Sequence, residues 1–164
     1  MPNNDELLRA SGRRAALKVS GLAALLLLAP AAASAQKAKQ PQFAYVAGTE
    51  DVLAGCEGTI ELTSQQLSFL CAQYSLHAPY AAISRMEYRS GVSRSVRKLK
   101  LKWKLKPPEG GGKKNRYFTI VYREGGATHV VVLEVAPDEM QPYLAEIDLK
   151  AGRRVDVQNH EDYP

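Results

Sequence analysis

From Gly55 onward, apolar side chains recur at nearly every second position, the period of a strand with one face buried. "GTIELT" and "LSFLCAQYSL" form a first pair: Ile60 and Leu62 alternate up to a turn, and Leu67 and Phe69 continue after it. If Leu62 faces Leu67, then Ile60 faces Phe69 and Gly58 faces Cys71. "AAISRMEYRSG" predicts a third strand with Ile83, Met86 and Tyr88 turned inward, and "SVRKLKLKWKLK" a fourth. "PPEGGGKKN" reads as a breaker-rich loop. "RYFTIVYRE" and "THVVVLEV" are two further strands, joined through Gly125-Gly126 in a tight turn.

The period then changes. In "APDEMQPYLAEIDLKAG", Met140, Tyr143, Leu144, Ile147 and Ala151 fall three or four apart, on one helical face. Asp138 is the expected N-cap, with Glu139 at the positive end of the helix dipole and Pro142 in the first turn. Gly152 is the expected left-handed terminator, and Lys150 suits the negative end. Strands at this spacing followed by one helix predict a mainly β domain: a small antiparallel β-barrel or curved sandwich capped by a C-terminal α-helix.

The ends of the chain read differently. Residues 1–35 have the layout of an export signal. "SGRRAALKV" is basic, Val19–Ala29 is an apolar run of eleven residues, and "APAAASAQ" offers cleavage after Ala35. The run is short for a membrane span, although an uncleaved anchor is the alternative. Arg13-Arg14 also resembles the twin-arginine export motif. Residues 36–53 are weakly patterned and read as a linker or loose arm, and 156–164 as a tail. Export implies a periplasmic or secreted protein, in an oxidising compartment where Cys56 and Cys71 can pair. The hairpin register leaves them one diagonal step apart on the same face, near the limit for a disulfide. Two buried thiols are the alternative.

The order of "APYAAISRMEYRSG", the central strands, "RYFTIVYREGG", "THVVVLEV" and a helix ending "LKAGRRV" resembles the bacterial GRAM/PH-like domains of the PH-like superfamily, over about residues 54–155. The resemblance implies a curved barrel closed by its C-terminal helix, and a role in binding lipid head groups or proteins. Eukaryotic members often bind phosphoinositides through basic residues between early strands. Here the corresponding "TSQQ" turn carries no charge.

Charge sharpens one stretch. In "RKLKLKWKLK", Lys98, Lys100, Lys102, Lys104 and Lys106 alternate with Leu99, Leu101, Trp103 and Leu105. As a strand, this puts the apolar row inside and the ammonium row outside. Arg94 to Arg116 holds ten basic residues against Glu109 alone, a net +9 in a chain of net +5. Such segregated charge attracts anionic surfaces and speeds encounter. The candidate anion-binding residues are these five lysines with Lys113, Lys114 and Arg116. The candidate partners are an anionic membrane or envelope surface, or an acidic protein. A solvated strand face is the bland alternative, since edge lysines also discourage aggregation. Nucleic acid fits poorly, because Trp103 falls on the apolar row where no base could stack on it.

No catalytic chemistry is legible. His77, His129 and His160 stand far apart, and none falls in a metal-ligand spacing, so neither a metal nor another cofactor is indicated. Glu57, Glu61 and Glu87 read as solvated strand carboxylates. The "GGG" at 110–112 lacks the Lys-Ser/Thr of a phosphate-binding loop. A non-enzymatic binding module is expected, with a scaffold or protein-interaction domain as the second reading.

Overall fold

The computed structural model describes residues 42–108 and 116–158. The predicted export signal therefore lies outside the described residues, as do Lys113 and Lys114 of the candidate set.

Eight strands and one long helix make up the described chain: β1 (Phe43–Gly48), β2 (Cys56–Leu62), β3 (Gln66–Cys71), β4 (Tyr74–Pro79), β5 (Ile83–Arg89), β6 (Arg116–Glu124), β7 (Ala127–Val135), α2 (Pro137–Ala151) and β8 (Asp156–Val157). A single helical turn, α1 (Arg94–Arg97), stands between β5 and β6. The strands form one sheet in the order β4-β3-β2-β1-β7-β6-β5-β8. Every pairing is antiparallel except that of β8, which runs parallel to β5. The expected barrel is not closed, because β4 and β8 remain as edges.

The sheet nevertheless turns back on itself. Within β2, Cys56 to Gly58 pair with β1, whereas Thr59 to Leu62 pair with β3. Gly58 sits at this change of partner, as glycine often does at a bend in a strand. A Cβ there would run into the carbonyl oxygen of Leu70 and the Cβ of Cys71. Beyond the bend, Leu67 and Phe69 of β3 and Ala78 of β4 join the same buried cluster as Ile120, Tyr122 and Val131 of β6 and β7.

The alternation named most strands well. Leu62 faces Leu67 and Ile60 faces Phe69, and Ile83, Met86 and Tyr88 are buried. The disulfide forms between Cys56 and Cys71, whose Cα atoms are 5.9 Å apart. Four expectations about the strands need correction. Residues 43–48, expected within a linker or loose arm, are β1 at the centre of the sheet, with Phe43, Tyr45 and Ala47 wholly buried. "LSFLCAQYSL" is a hairpin rather than one strand, turning at Ala72, which takes a φ of 41°. The start of the supposed tail supplies β8. The supposed fourth strand is α1 followed by an extended segment outside the ladders.

Both faces of the central strands are covered. On one face α2 lays Met140, Leu144 and Ile147 into the main core, and the ring of Tyr143 meets that of Phe43 edge-on at 5.4 Å. The helix starts two residues earlier than expected: Ala136, not Asp138, is the N-cap, and Pro137 occupies the first turn where no donor is needed. Gly152 ends it in the left-handed region at φ 62°. On the other face, Ala47, Tyr117, Val121, Val130 and Val132 form a second cluster with Val92 and Val96. A bulge between Tyr45 and Ala47 lets β1 contribute to both clusters.

Candidate functional site

The lysine segment is the cover of that second cluster. Leu101 and Trp103 pack against it, half-buried, while Lys98, Lys100, Lys102, Lys104 and Lys106 are exposed. The in–out alternation therefore holds from 101 to 106, but the segment makes no strand ladder. Any extended chain that presses one side onto an apolar sheet satisfies the same pattern. Leu99, expected inside, is 38% exposed.

Three sets of contacts fix the segment in place. The Ser93 hydroxyl caps α1 by accepting from the Val96 amide. The Arg97 guanidinium donates to the carbonyls of Val92 (2.9 Å) and Pro108 (2.6 Å), tying both ends of the excursion together. Near its far end, Leu105 forms an isolated bridge with Gly48, exchanging backbone hydrogen bonds of 3.1 and 3.2 Å.

Between this segment and the β6–β7 turn lies an open cleft of about 540 Å³. Lys100, Lys102 and Lys104 line one side, and Thr49, Thr128 and His129 the other. Lys104 is bound to Asp51 at 2.9 Å, and that hydrogen bond, with the charge of Asp51, raises the ammonium's pKa. Among the described residues, Lys98, Lys100, Lys102 and Lys106 have no acidic partner within ion-pair distance. Four of the five ammonium groups thus keep their field. Glu50, beside the cleft, is already engaged: it accepts from Thr49 (2.9 Å) and Tyr122 (3.3 Å) and meets His129 Nδ1 at 2.7 Å.

Of the predicted residues that are described, only Lys100, Lys102 and Lys104 share the cleft. Lys98 and Lys106 flank it on the same segment. Arg116 begins β6, is half-buried with a partner of its own, and does not line the cleft. Thr49, Thr128 and His129 were not legible as site residues, because only the β1–β7 pairing brings them to the lysines.

Of the three strand carboxylates, Glu57 and Glu61 are exposed as expected and Glu87 is not. Glu87 is only 2% exposed rather than solvated, lying under α1, where its Oε1 accepts from Arg85 and from Ser93. Among the described residues no group of three or more His, Cys, Asp or Glu side chains is placed to hold a metal ion. His77 stands between two hydroxyls, Ser68 at Nδ1 (2.9 Å) and Ser75 at Nε2 (2.7 Å).

No protein-family model matches the chain, and no curated protein matches it.

Proposed function

We propose that this chain is a non-enzymatic binding module of the PH-like kind that engages an anionic surface, either lipid head groups or a phosphorylated envelope component. The observation that carries the reading is a set of four lysines without acidic partners among the described residues, on a segment whose apolar side is committed to the sheet. The side chains that could have neutralised them, Glu50 and Asp51, are occupied by His129 and Lys104. The sheet folded on itself under one C-terminal helix fits the PH-like resemblance. The disulfide suits an oxidising compartment, and with the export-like residues 1–35 it supports a periplasmic or secreted location.

Co-sedimentation with phosphatidylglycerol and phosphatidylcholine vesicles tests the reading. Binding is expected to the first only, and to fall steeply with salt. A basic residue near an anionic bilayer contributes about 1 kcal/mol, so the Lys100→Gln/Lys102→Gln double variant loses about thirtyfold in affinity. Lys104→Gln loses less, because Asp51 already screens that charge. Equal binding to both vesicle types, or a double variant that binds like the parent, removes the proposal. The second reading, a protein-interaction domain, draws on the open edge of β4, which could accept an added strand. It predicts salt-independent capture of one protein and indifference to both lysine changes.

A further inference from the structure

A second basic cleft, of about 570 Å³, opens beside β5, and none of its lining residues belongs to the lysine cleft. Arg85 and Arg89 enter it from β5, Arg94 from α1, and Arg153 and Arg154 from the connection between α2 and β8. Among the described residues that line it, the acids are Glu87 and Asp156, and Arg154 also meets the charge of Asp148. Arg89 is held by Asp156 at 2.6 Å, and Arg85 by Glu87 at 3.3 Å. Arg94 and Arg153 are exposed and have no partner among the described residues.

Two of the side chains that line this cleft carry an unmatched polar atom. The side chain of Glu87 is 3% exposed. Its Oε1 is satisfied by Arg85 and Ser93, but Oε2 is buried without a hydrogen-bond partner. The Nε of Arg89, in the same cleft, is likewise buried and unmatched. A buried charged oxygen left without a donor is costly, so such an atom calls for something that completes it. Whatever enters must bring a donor for Glu87 and, for the guanidinium surplus, an anion. An ammonium donor would enter a cleft already in positive excess. A hydroxyl beside a phosphate meets both demands, because arginine forks match phosphate oxygens in geometry as well as charge.

We propose that this cleft binds a phosphorylated polyol, with the phosphate held by the arginines and a neighbouring hydroxyl donating to Glu87 Oε2. The assignment stands apart from the lysine surface. Its ligand chemistry could come from a free polyol phosphate or from a glycerophospholipid head group.

Calorimetric titration of the full chain with glycerol 3-phosphate and with inorganic phosphate tests it. The expected result is a preference for glycerol 3-phosphate of about tenfold, the contribution of one hydrogen bond to a charged group. The exposed double variant Arg94→Gln/Arg153→Gln folds normally and weakens both ligands by about tenfold or more. Glu87→Gln removes the opposing charge, so phosphate binds better while the preference for the polyol shrinks. A purely structural role for Glu87 would not move that ratio. Should Glu87→Gln fail to fold, the arginine variant and the wild-type preference still decide. Equal affinity for the two ligands in the wild type, or no change in the arginine variant, overturns the proposal. The Lys100→Gln/Lys102→Gln protein retains the glycerol 3-phosphate titration, so loss of vesicle binding and loss of this site are separable. Displacement of glycerol 3-phosphate by phosphatidylglycerol vesicles assigns the lipid source, and its persistence assigns the free one.

Discussion

Tyr45 and Tyr122 carry their phenols into the core next to Glu50, and burial pushes the ionisation of both well above the ordinary tyrosine range. The negative charge of Glu50 adds to the effect on Tyr122, which also donates to that carboxylate. The consequence for stability has a definite sign. An unfolded chain releases these protons near pH ~10, whereas the folded chain retains them. Above that pH the folded state binds more protons than the unfolded one, so stability present below it is lost as pH rises. Urea midpoints measured between pH 8 and pH 11 (a range of about three units around the free tyrosine value) are expected to fall at the alkaline end. Tyr122→Phe makes that fall shallower, at the cost of one hydrogen bond at neutral pH. An unchanged slope would show that the Tyr122 phenol reaches water in the folded protein. Little of this was legible in advance, because "FAYVAG" offers a strand pattern too short and too rich in small residues to stand out. Tyr45 becomes a core residue only once β2 and β7 pair on either side of it.

At the scale of elements, the Cys56–Cys71 link secures the bend in the sheet. It ties the start of β2, which pairs with β1, to the end of β3 beyond Gly58. Closing a loop with a separation of 15 residues should stabilise the fold by about 3 kcal/mol. Denaturant titration of Cys56→Ser/Cys71→Ser is expected to show a loss of that order, and an unchanged midpoint would mean that the ladders alone hold the bend. Legibility at this scale followed the strength of the local signal. Strands β5, β6 and β7 and the helix were plain from period alone. The β3–β4 turn was not, since Ala72 takes a left-handed conformation that normally advertises itself as glycine or asparagine. β8 is two residues long and carries no period at all. The lysine segment misled in a different way: alternation reports which side of an extended chain is covered and is silent on whether that chain has hydrogen-bonded neighbours.

At the scale of the whole described chain, the two basic clefts adjoin. A shallow depression of about 180 Å³, lined by Ser84, Arg85, Ser95, Leu99, Arg123 and Thr128, shares residues with both the arginine cleft and the lysine cleft. The lysine run, read from the chain alone, located one part of this basic region. Another part comes from Arg85, Arg89, Arg153 and Arg154, which are far apart in sequence and meet because β8 docks on β5. Gly48 grips Lys104 and Leu105, but before that point the segment is hardly bonded to anything through its peptide groups. Among the described residues, the amides of Lys100, Lys102 and Trp103 donate to no carbonyl, whereas those of Leu101 and Leu105 do. Hydrogen exchange should accordingly be fast at these three amides and slow at Val131 and Leu133, deep in the sheet. An anion lodged among the ammonium groups would find free N–H dipoles there as well, and its arrival should register as slowed deuterium uptake at those same three positions.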